Sequence, residues 1–197
     1  MQKIFRAILV IGILVCSCNQ NEPKHGLNGV SKDTLVPFFP VTDFILGQLR
    51  EIDNLPVTPL KITIVGPKQD SEWLKREDIR VLASPFLHPV IDSISLINLY
   101  SGKSFLDQTV NAFTFSYDVK ARLPDSIKLI HWDVYIDPVK NTVQRVYMVK
   151  EDTVNRHHVT SQFTWESNKW FSIRTIEESP ASEPHVKEMM VKWDFNN

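Results

Sequence analysis

Hydrophobic residues in the first half of the chain recur at the spacing of a helix. Five apolar side chains predict a helix with one apolar stripe: Val41, Phe44, Ile45, Leu49 and Ile52. A second stripe predicts another helix, with Asp70 and Ser71 as caps at its start: Ile79, Leu82, Ala83, Phe86 and Leu87. Pro85 should break this helix near Ser84. Residues 61–65 predict a short strand that ends at Gly66-Pro67.

In the second half the spacing falls from about 3.6 residues to two, which predicts strands. Apolar and polar residues alternate along six segments: 113–117, 130–136, 143–149, 159–165, 171–173 and 186–193. Short turns such as 137–141 and 167–169 join neighbouring strands, so the pairing should be antiparallel. We therefore predict an α+β fold, with an antiparallel sheet of about six or seven strands and two helices packed on one face.

The chain opens with the pattern of a secretory signal. Lys3 and Arg6 precede an unbroken apolar run over residues 7–15, and small residues follow it. A helix that spans a membrane needs roughly 20 apolar residues, and this run reaches the polar Asn19 after about a dozen. We therefore predict a signal peptide over residues 1–17, and neither a membrane-spanning helix nor a buried N-terminal helix.

Residues 15–18, Val-Cys-Ser-Cys, resemble the lipobox of bacterial lipoproteins. In that family an aliphatic residue lies three positions before a cysteine, a small residue directly precedes it, and its thiol receives a diacylglyceryl group before cleavage. The resemblance implies lipidation of Cys18; Cys16 fits less well because bulky Val15 would directly precede it. It also implies a lipid anchor in the cell envelope. The expected localisation is the outer membrane, with the domain facing the periplasm, and the alternative is the cell surface.

The rest of the chain predicts one domain on a tether. Residues 18–36 are polar and carry Pro23, Gly26 and Gly29, which predicts a flexible tether, and residues 37–197 form a single predicted domain. Both cysteines lie in the leader region, so no disulfide is expected in the domain. The net charge is −1 and no basic stripe occurs, so no nucleic-acid partner is expected.

A wider resemblance covers residues 37–194, which look like an uncharacterised family of Bacteroidota envelope lipoproteins. Residues 39–44, residues 104–109, Trp165 and residues 169–171 carry the likeness. It implies an envelope address and this architecture, and it brings no activity with it.

Two polar motifs near the middle of the chain have simple interpretations. Gly102-Lys103-Ser104 matches the tail of a phosphate-binding loop, but that motif needs a glycine where Ile97 stands. We therefore predict a loop before a strand at this point. Asp107-Gln108 predicts a polar turn that caps the next strand.

The histidines do not combine into a predicted metal or catalytic site. His157 and His158 are adjacent in a predicted strand, so they should point to opposite faces and cannot close on one ion. His131 and Asp133 lie two apart, on one face and about 6.5–7 Å from each other. A carboxylate there can charge an imidazole, but no nucleophile motif accompanies the pair. We interpret both as residues of the solvated face and predict no catalytic residue, metal or cofactor.

Four tryptophans fall on late strands: Trp132, Trp165, Trp170 and Trp193. Strand aromatics commonly fill a core, and the same residues could line a groove for an apolar ligand or a glycan. The sequence leaves both interpretations open.

Two functions fit these observations. The first is a non-enzymatic lipoprotein that binds an envelope protein or supports an assembly through its sheet. The second is a periplasmic carrier of a lipid or other apolar ligand. A cavity of about 300 Å³ or more lined by Phe and Trp would favour the carrier, and a filled core would favour the binding module.

Overall fold

The computed structural model describes residues 38–92, 96, 98–180 and 182–195. They belong to one compact unit, Leu35–Asn197. The predicted signal peptide, Cys18 and the predicted tether lie outside the described residues. Neither described helix has the length and the apolar character that crossing a bilayer requires.

The described chain forms nine strands and two α-helices. The helices are α1 (Val41–Asn54) and α2 (Arg76–Ala83), and a 3-10 helix (Ser84–Leu87) follows α2. The strands are β1 (Leu60–Val65), β2 (Lys68–Trp73), β3 (Tyr100–Asp107), β4 (Ala112–Val119), β5 (Leu129–Ile136), β6 (Val143–Val154), β7 (His157–Glu166), β8 (Trp170–Ser179) and β9 (Ser182–Lys192). All pair antiparallel in one sheet of order β2-β1-β9-β8-β7-β6-β5-β4-β3. The edges of the sheet are therefore β2 and β3.

The predicted α+β class and the antiparallel sheet are confirmed, but the predicted number of strands is wrong. One of the two missed strands is β2, where Asp70 and Ser71 had been predicted as helix caps. Gly66 has a left-handed backbone, with φ of 54°, and lets the chain turn back so that β2 pairs with β1. All six residues of β2 are exposed, so its sequence has no alternation of apolar and polar residues that would predict a strand.

The other missed strand is β3. Gly102-Lys103-Ser104, predicted as a loop, lies within it. Six consecutive residues, 101–106, are exposed, and the strand is held by backbone pairing with β4 from Tyr100–Val119 to Asp107–Ala112. An edge strand exposed along nearly its whole length gives no apolar period to detect.

The predicted helical stripes are largely confirmed. In α1 the four residues Val41, Ile45, Leu49 and Ile52 are buried. The second helix begins only at Arg76, whose guanidinium donates to the carbonyl oxygens of Asp53 and Leu55 at the end of α1. The predicted break at Ser84 is confirmed, since the 3-10 helix with Pro85 in its first turn begins there.

Aromatic rings fill the core between the helices and one face of the sheet. Trp132 stacks on Tyr117, with ring centroids 4.6 Å apart and planes 15° from parallel. Trp165 stacks on Phe171 at 5.1 Å, and Phe86 of the 3-10 helix meets Trp165 edge-on at 5.4 Å. These five side chains are all fully buried. These rings therefore pack against one another in the centre of the core.

Candidate functional site

An apolar groove opens beside the β3–β4 and β5–β6 turns, where β3 and β5 end and β4 begins. It has a volume of about 320 Å³. Its walls are Leu106, Phe113, Phe115, Ile136, Pro138 and Asn141. Leu106 is 55% exposed and Phe113 37% exposed, so the groove offers apolar surface directly to solvent. We call these six residues the apolar groove.

Strand register brings the walls of the apolar groove together. Leu106 pairs with Phe113, and Phe113 pairs with Ile136 on the next strand, so one row of apolar side chains crosses three strands. Phe115 lies two residues from Phe113 on the same side, and the two rings meet edge-on at 5.2 Å. Phe115 and Ile136 also pack against the buried core. The groove is thus an open continuation of the core.

The turn after β5 forms the remaining wall of the groove. A carboxylate oxygen of Asp137 accepts hydrogen bonds from the backbone N–H groups of Val139 and Lys140, at 2.8 and 2.9 Å. Asn141 adopts a left-handed backbone with φ of 55° and donates its N–H to the carbonyl of Asp137. These bonds fix the turn, so the groove has a rigid polar rim beside its apolar floor.

The predicted pair His131 and Asp133 lies on the opposite face of the sheet, where a second aspartate joins it. His131 Nε2 is 3.1 Å from Asp133 Oδ2, and its Nδ1 is 2.7 Å from Asp118 Oδ1. Lys103 Nζ is 3.0 Å from the other oxygen of Asp118, and the Tyr135 hydroxyl donates to Asp133 at 3.1 Å. These ionisable side chains form one continuous polar cluster that crosses β3, β4 and β5.

These contacts favour the protonated form of His131. The hydrogen bond to Asp133 raises the pKa of His131 above its ordinary value of 6.5, and the bond to Asp118 adds to this against the opposing effect of burial. Burial opposes ionisation of Asp133, but hydrogen bonds from His131 and Ser116 outweigh it and lower its pKa. Both ring nitrogens thus lie within hydrogen-bond distance of carboxylates of the protein itself, so neither of them is open to a substrate.

His157 and His158 contact different acidic side chains. His157 Nδ1 is 2.5 Å from Glu177 Oε1, whereas His158 Nε2 is 4.0 Å from Glu151 Oε1 and 3.4 Å from the Thr160 hydroxyl. Within the part of the chain that the structure describes, no three His, Cys, Asp or Glu side chains are grouped to hold a metal ion.

The four tryptophans lie in three different environments. Trp132 and Trp165 are fully buried in the core. Trp193 is also buried, but it borders a second open cavity of about 480 Å³. The other walls of that cavity are Leu55, Val57, Asn168, Asp194 and Phe195. Trp170 is half-buried, and it faces away from the core because its neighbour Phe171 points into it. The four do not line one common groove.

Sequence reasoning missed the apolar groove. Phe113 and Phe115 were recognised as alternating strand residues, but Leu106 and Ile136 join them only through the register of three strands. The sequence contains the apolar pair Phe105-Leu106, but its exposure on an edge strand is known only from the structure.

Comparisons of the chain with models of protein families, with curated proteins and with solved structures find no match.

Proposed function

We propose that this chain is an envelope lipoprotein, anchored by lipid on Cys18, whose domain binds an apolar segment of a partner protein in the apolar groove without performing a reaction. The observation that carries the proposal is an open cavity of about 320 Å³ whose walls include Leu106, Phe113 and Phe115. Such a volume lies at the small end of the range for ligand sites. It suits one or two apolar side chains of a protein.

The shape of the groove favours a protein segment over a small ligand that must be enclosed. A ligand pocket typically covers 70–90% of a small ligand, as a rough rule, whereas Leu106 and Phe113 are themselves about half and one-third exposed. Among the described residues, stacked aromatic rings fill the core around Trp132 and Trp165. A partner protein can cover the open side of the groove with its own surface.

The chemistry of the opposite face supports a non-enzymatic role. His131 has both ring nitrogens within hydrogen-bond distance of carboxylates, so its ring links β4 and β5 and neither nitrogen is open to a substrate. The nearby hydroxyl of Tyr135 has its pKa raised to about 12 by burial and by the charge of Asp133, which makes it a poor nucleophile at neutral pH.

The second candidate function is a carrier of a lipid or other apolar ligand. The observation in its favour is the second cavity of about 480 Å³, bordered by the aromatic residues Trp193 and Phe195. That cavity also opens to solvent between the end of α1 and the turn before β8. A carrier would show co-purifying lipid, which mass spectrometry of the native protein under non-denaturing conditions would detect.

Site-specific photocrosslinking in cells tests the groove. A benzophenone amino acid at Phe113 should yield an adduct with a defined protein, and Ile136→Glu in the same chain should abolish it by placing a charge in the groove. The matched control is the same probe at Trp73, an exposed aromatic residue on the other edge of the sheet. Adducts that are identical at both positions, or unaffected by Ile136→Glu, would contradict the proposal; adducts with lipid would favour the carrier.

The anchor is tested separately from the groove. Intact-mass measurement of the protein from membranes should show a chain that begins at Cys18 and carries diacylglycerol with a further acyl chain or a free amine. Cys18→Ser should leave the precursor uncleaved and without lipid, whereas Cys16→Ser should be processed normally. A full-length chain with an unmodified Cys18 thiol would contradict the proposed anchor and leave the groove experiment unaffected.

A further inference from the structure

The two edges of the sheet differ in the side chains that they offer. β2 carries charges at every second position, Lys68, Asp70 and Glu72, which is how proteins commonly protect an edge from pairing with another chain. β3 carries two adjacent apolar residues in its interior, Phe105 and Leu106, which are 43% and 55% exposed and lie between Lys103 and Asp107, whereas the exposed apolar residue of β2, Trp73, lies at the end of that strand. The β3 edge is therefore the one suited to pairing.

The backbone of β3 presents unpaired groups at regular positions. Lys120 N–H donates to the carbonyl of Leu99 at 2.9 Å, at the start of the β3–β4 ladder. Because antiparallel ladders alternate, the odd-numbered residues of β3 bond to β4, and Gly102, Ser104 and Leu106 direct their N–H and C=O groups outward. These groups offer hydrogen bonds to an added strand.

We propose that the β3 edges of two copies of this chain pair antiparallel about a two-fold axis at Phe105. In this register Lys103 of each copy lies opposite Asp107 of the other, and the two Phe105 rings lie opposite each other. Side chains directly opposite have Cβ atoms about 4.5–5.5 Å apart, within reach of an ion pair. One face of the junction therefore carries the Phe105 pair, with one Lys103–Asp107 ion pair on each side of it.

The same register satisfies the backbone. Ser104 of one copy and Leu106 of the other form a hydrogen-bonded pair, and the two-fold axis repeats it. Lys103 already contacts Asp118, but its ammonium has three donors and its side chain is 62% exposed, so it can also reach Asp107 of the second copy. Leu106 of the second copy then comes beside Ser104, which pairs with Phe115, so it extends the wall of the apolar groove.

Pairing of two β2 edges would bring less favourable charges together. Placing Lys68 opposite Glu72 of a second copy forces Asp70 against Asp70, so two ion pairs are opposed by a repulsion on the axis. Charge complementarity thus selects β3 for self-pairing.

Exchange of the paired charges tests the register. Lys103→Glu alone creates two Glu–Asp contacts and Asp107→Lys alone creates two Lys–Lys contacts, so each variant should dimerise at least tenfold more weakly than the wild type, as a rough expectation. An equimolar mixture of the two variants restores both ion pairs and should form the heterodimer. Sedimentation velocity of the full chain in detergent, with circular dichroism to verify folding, measures each state. A wild type that is monomeric throughout, or a mixture no more associated than its folded components, would overturn the proposal.

A disulfide provides a second test that does not depend on the charges. The two Phe105 positions form a non-hydrogen-bonded pair with Cα atoms about 4.5 Å apart, which lies in the range that a disulfide spans. Phe105→Cys in the full chain should give a covalent dimer under oxidising conditions, well above the background of Cys16 and Cys18 in the wild type. The matched control is Ser71→Cys on the exposed β2 edge. Equal crosslinking at positions 105 and 71 would overturn the proposal, even if Asp107→Lys failed to fold.

Discussion

His131 Nε2 lies 3.1 Å from Asp133 Oδ2, so a hydrogen bond joins two residues of one strand that both face away from the helices. Their side chains are only 25% and 14% exposed, which limits screening by water. Asp118, opposite His131 on β4, holds the other ring nitrogen. The His131 ring therefore links two neighbouring strands on the face that the helices leave uncovered.

Replacing His131 by Gln should destabilise the protein in a pH-dependent way. Because the pKa of His131 is raised above 6.5 in the folded state, its contribution is fully present below pH 6.5 and is lost as the pH rises through the folded pKa. At pH 6 we expect His131→Gln to lower the free energy of unfolding by about 1.5–3 kcal/mol, the usual value of hydrogen bonds to charged groups. Urea unfolding of both proteins at pH 6 and pH 9 measures this, and a cost that is equal at the two pH values would contradict it.

Replacing Thr114 by Val should stabilise the protein. Its hydroxyl is buried and has no hydrogen-bond partner among the described residues, while its cross-strand neighbours are Phe105 and Tyr135. Thr114→Val keeps the shape and removes an unsatisfied polar group, so the free energy of unfolding should rise by about 1 kcal/mol. Ser116→Ala is the matched control, because it removes a hydrogen bond to Asp133 and should lower stability. If both substitutions destabilise the protein equally, the hydroxyl of Thr114 is satisfied after all.

The buried and exposed tryptophans should differ sharply in their effect on stability. Trp165 is fully buried between Phe86 and Phe171, so Trp165→Ala should cost about 3–5 kcal/mol. Trp73 is 64% exposed and touches only Phe195 among aromatic rings of the described chain, so Trp73→Ala should change stability by about 0.5 kcal/mol or less. Thermal unfolding followed by circular dichroism compares the two. A small cost at Trp165 would mean that its ring is not part of the packed core.

The sequence predicted the parts of the fold in which burial repeats along a single segment. Helix α1 has its apolar stripe at helical spacing, and β5 alternates Trp132 and Val134 with polar residues, because each has one buried and one wetter face. The edge strands β2 and β3 were missed for the converse reason. Their residues are almost all exposed, and backbone pairing with one neighbour is what makes them strands.

For the sites too, the sequence predicted what lies within one segment and missed what depends on the pairing of strands. His131 and Asp133 lie two apart on one strand, so their common face followed from the sequence alone. Asp118 is the third member of that cluster, and it joins only through the pairing of β4 with β5. The apolar groove likewise needs the register of β3, β4 and β5, which local periodicity does not contain.

Lys150 forms the one described link from an ammonium group to the end of the 3-10 helix. It lies on β6, donates to the carbonyl oxygens of Pro85 and His88, and places its Nζ 4.5 Å from the centre of the Phe163 ring. Burial lowers the pKa of Lys150 from 10.5 to about 8. Holding this helix end against the sheet thus requires the burial of a charge that the unfolded chain would keep in water.

The contribution of Lys150 to stability should change with pH in the opposite direction to that of His131. Between pH 8 and pH 10.5 the unfolded chain binds more protons at this lysine than the folded chain does, so its contribution to stability rises with pH. Relative to Lys150→Arg, which stays charged throughout, the wild type should gain on the order of 1 kcal/mol over this range, after allowance for its partial exposure. Lys150→Met carries no titrating group and should also lack the rise, although it loses the two hydrogen bonds to Pro85 and His88. Urea unfolding of the three proteins at pH 8, 9 and 10.5 gives the slopes, and parallel curves for the wild type and Lys150→Arg would show that Lys150 titrates in the folded protein as it does in the unfolded chain.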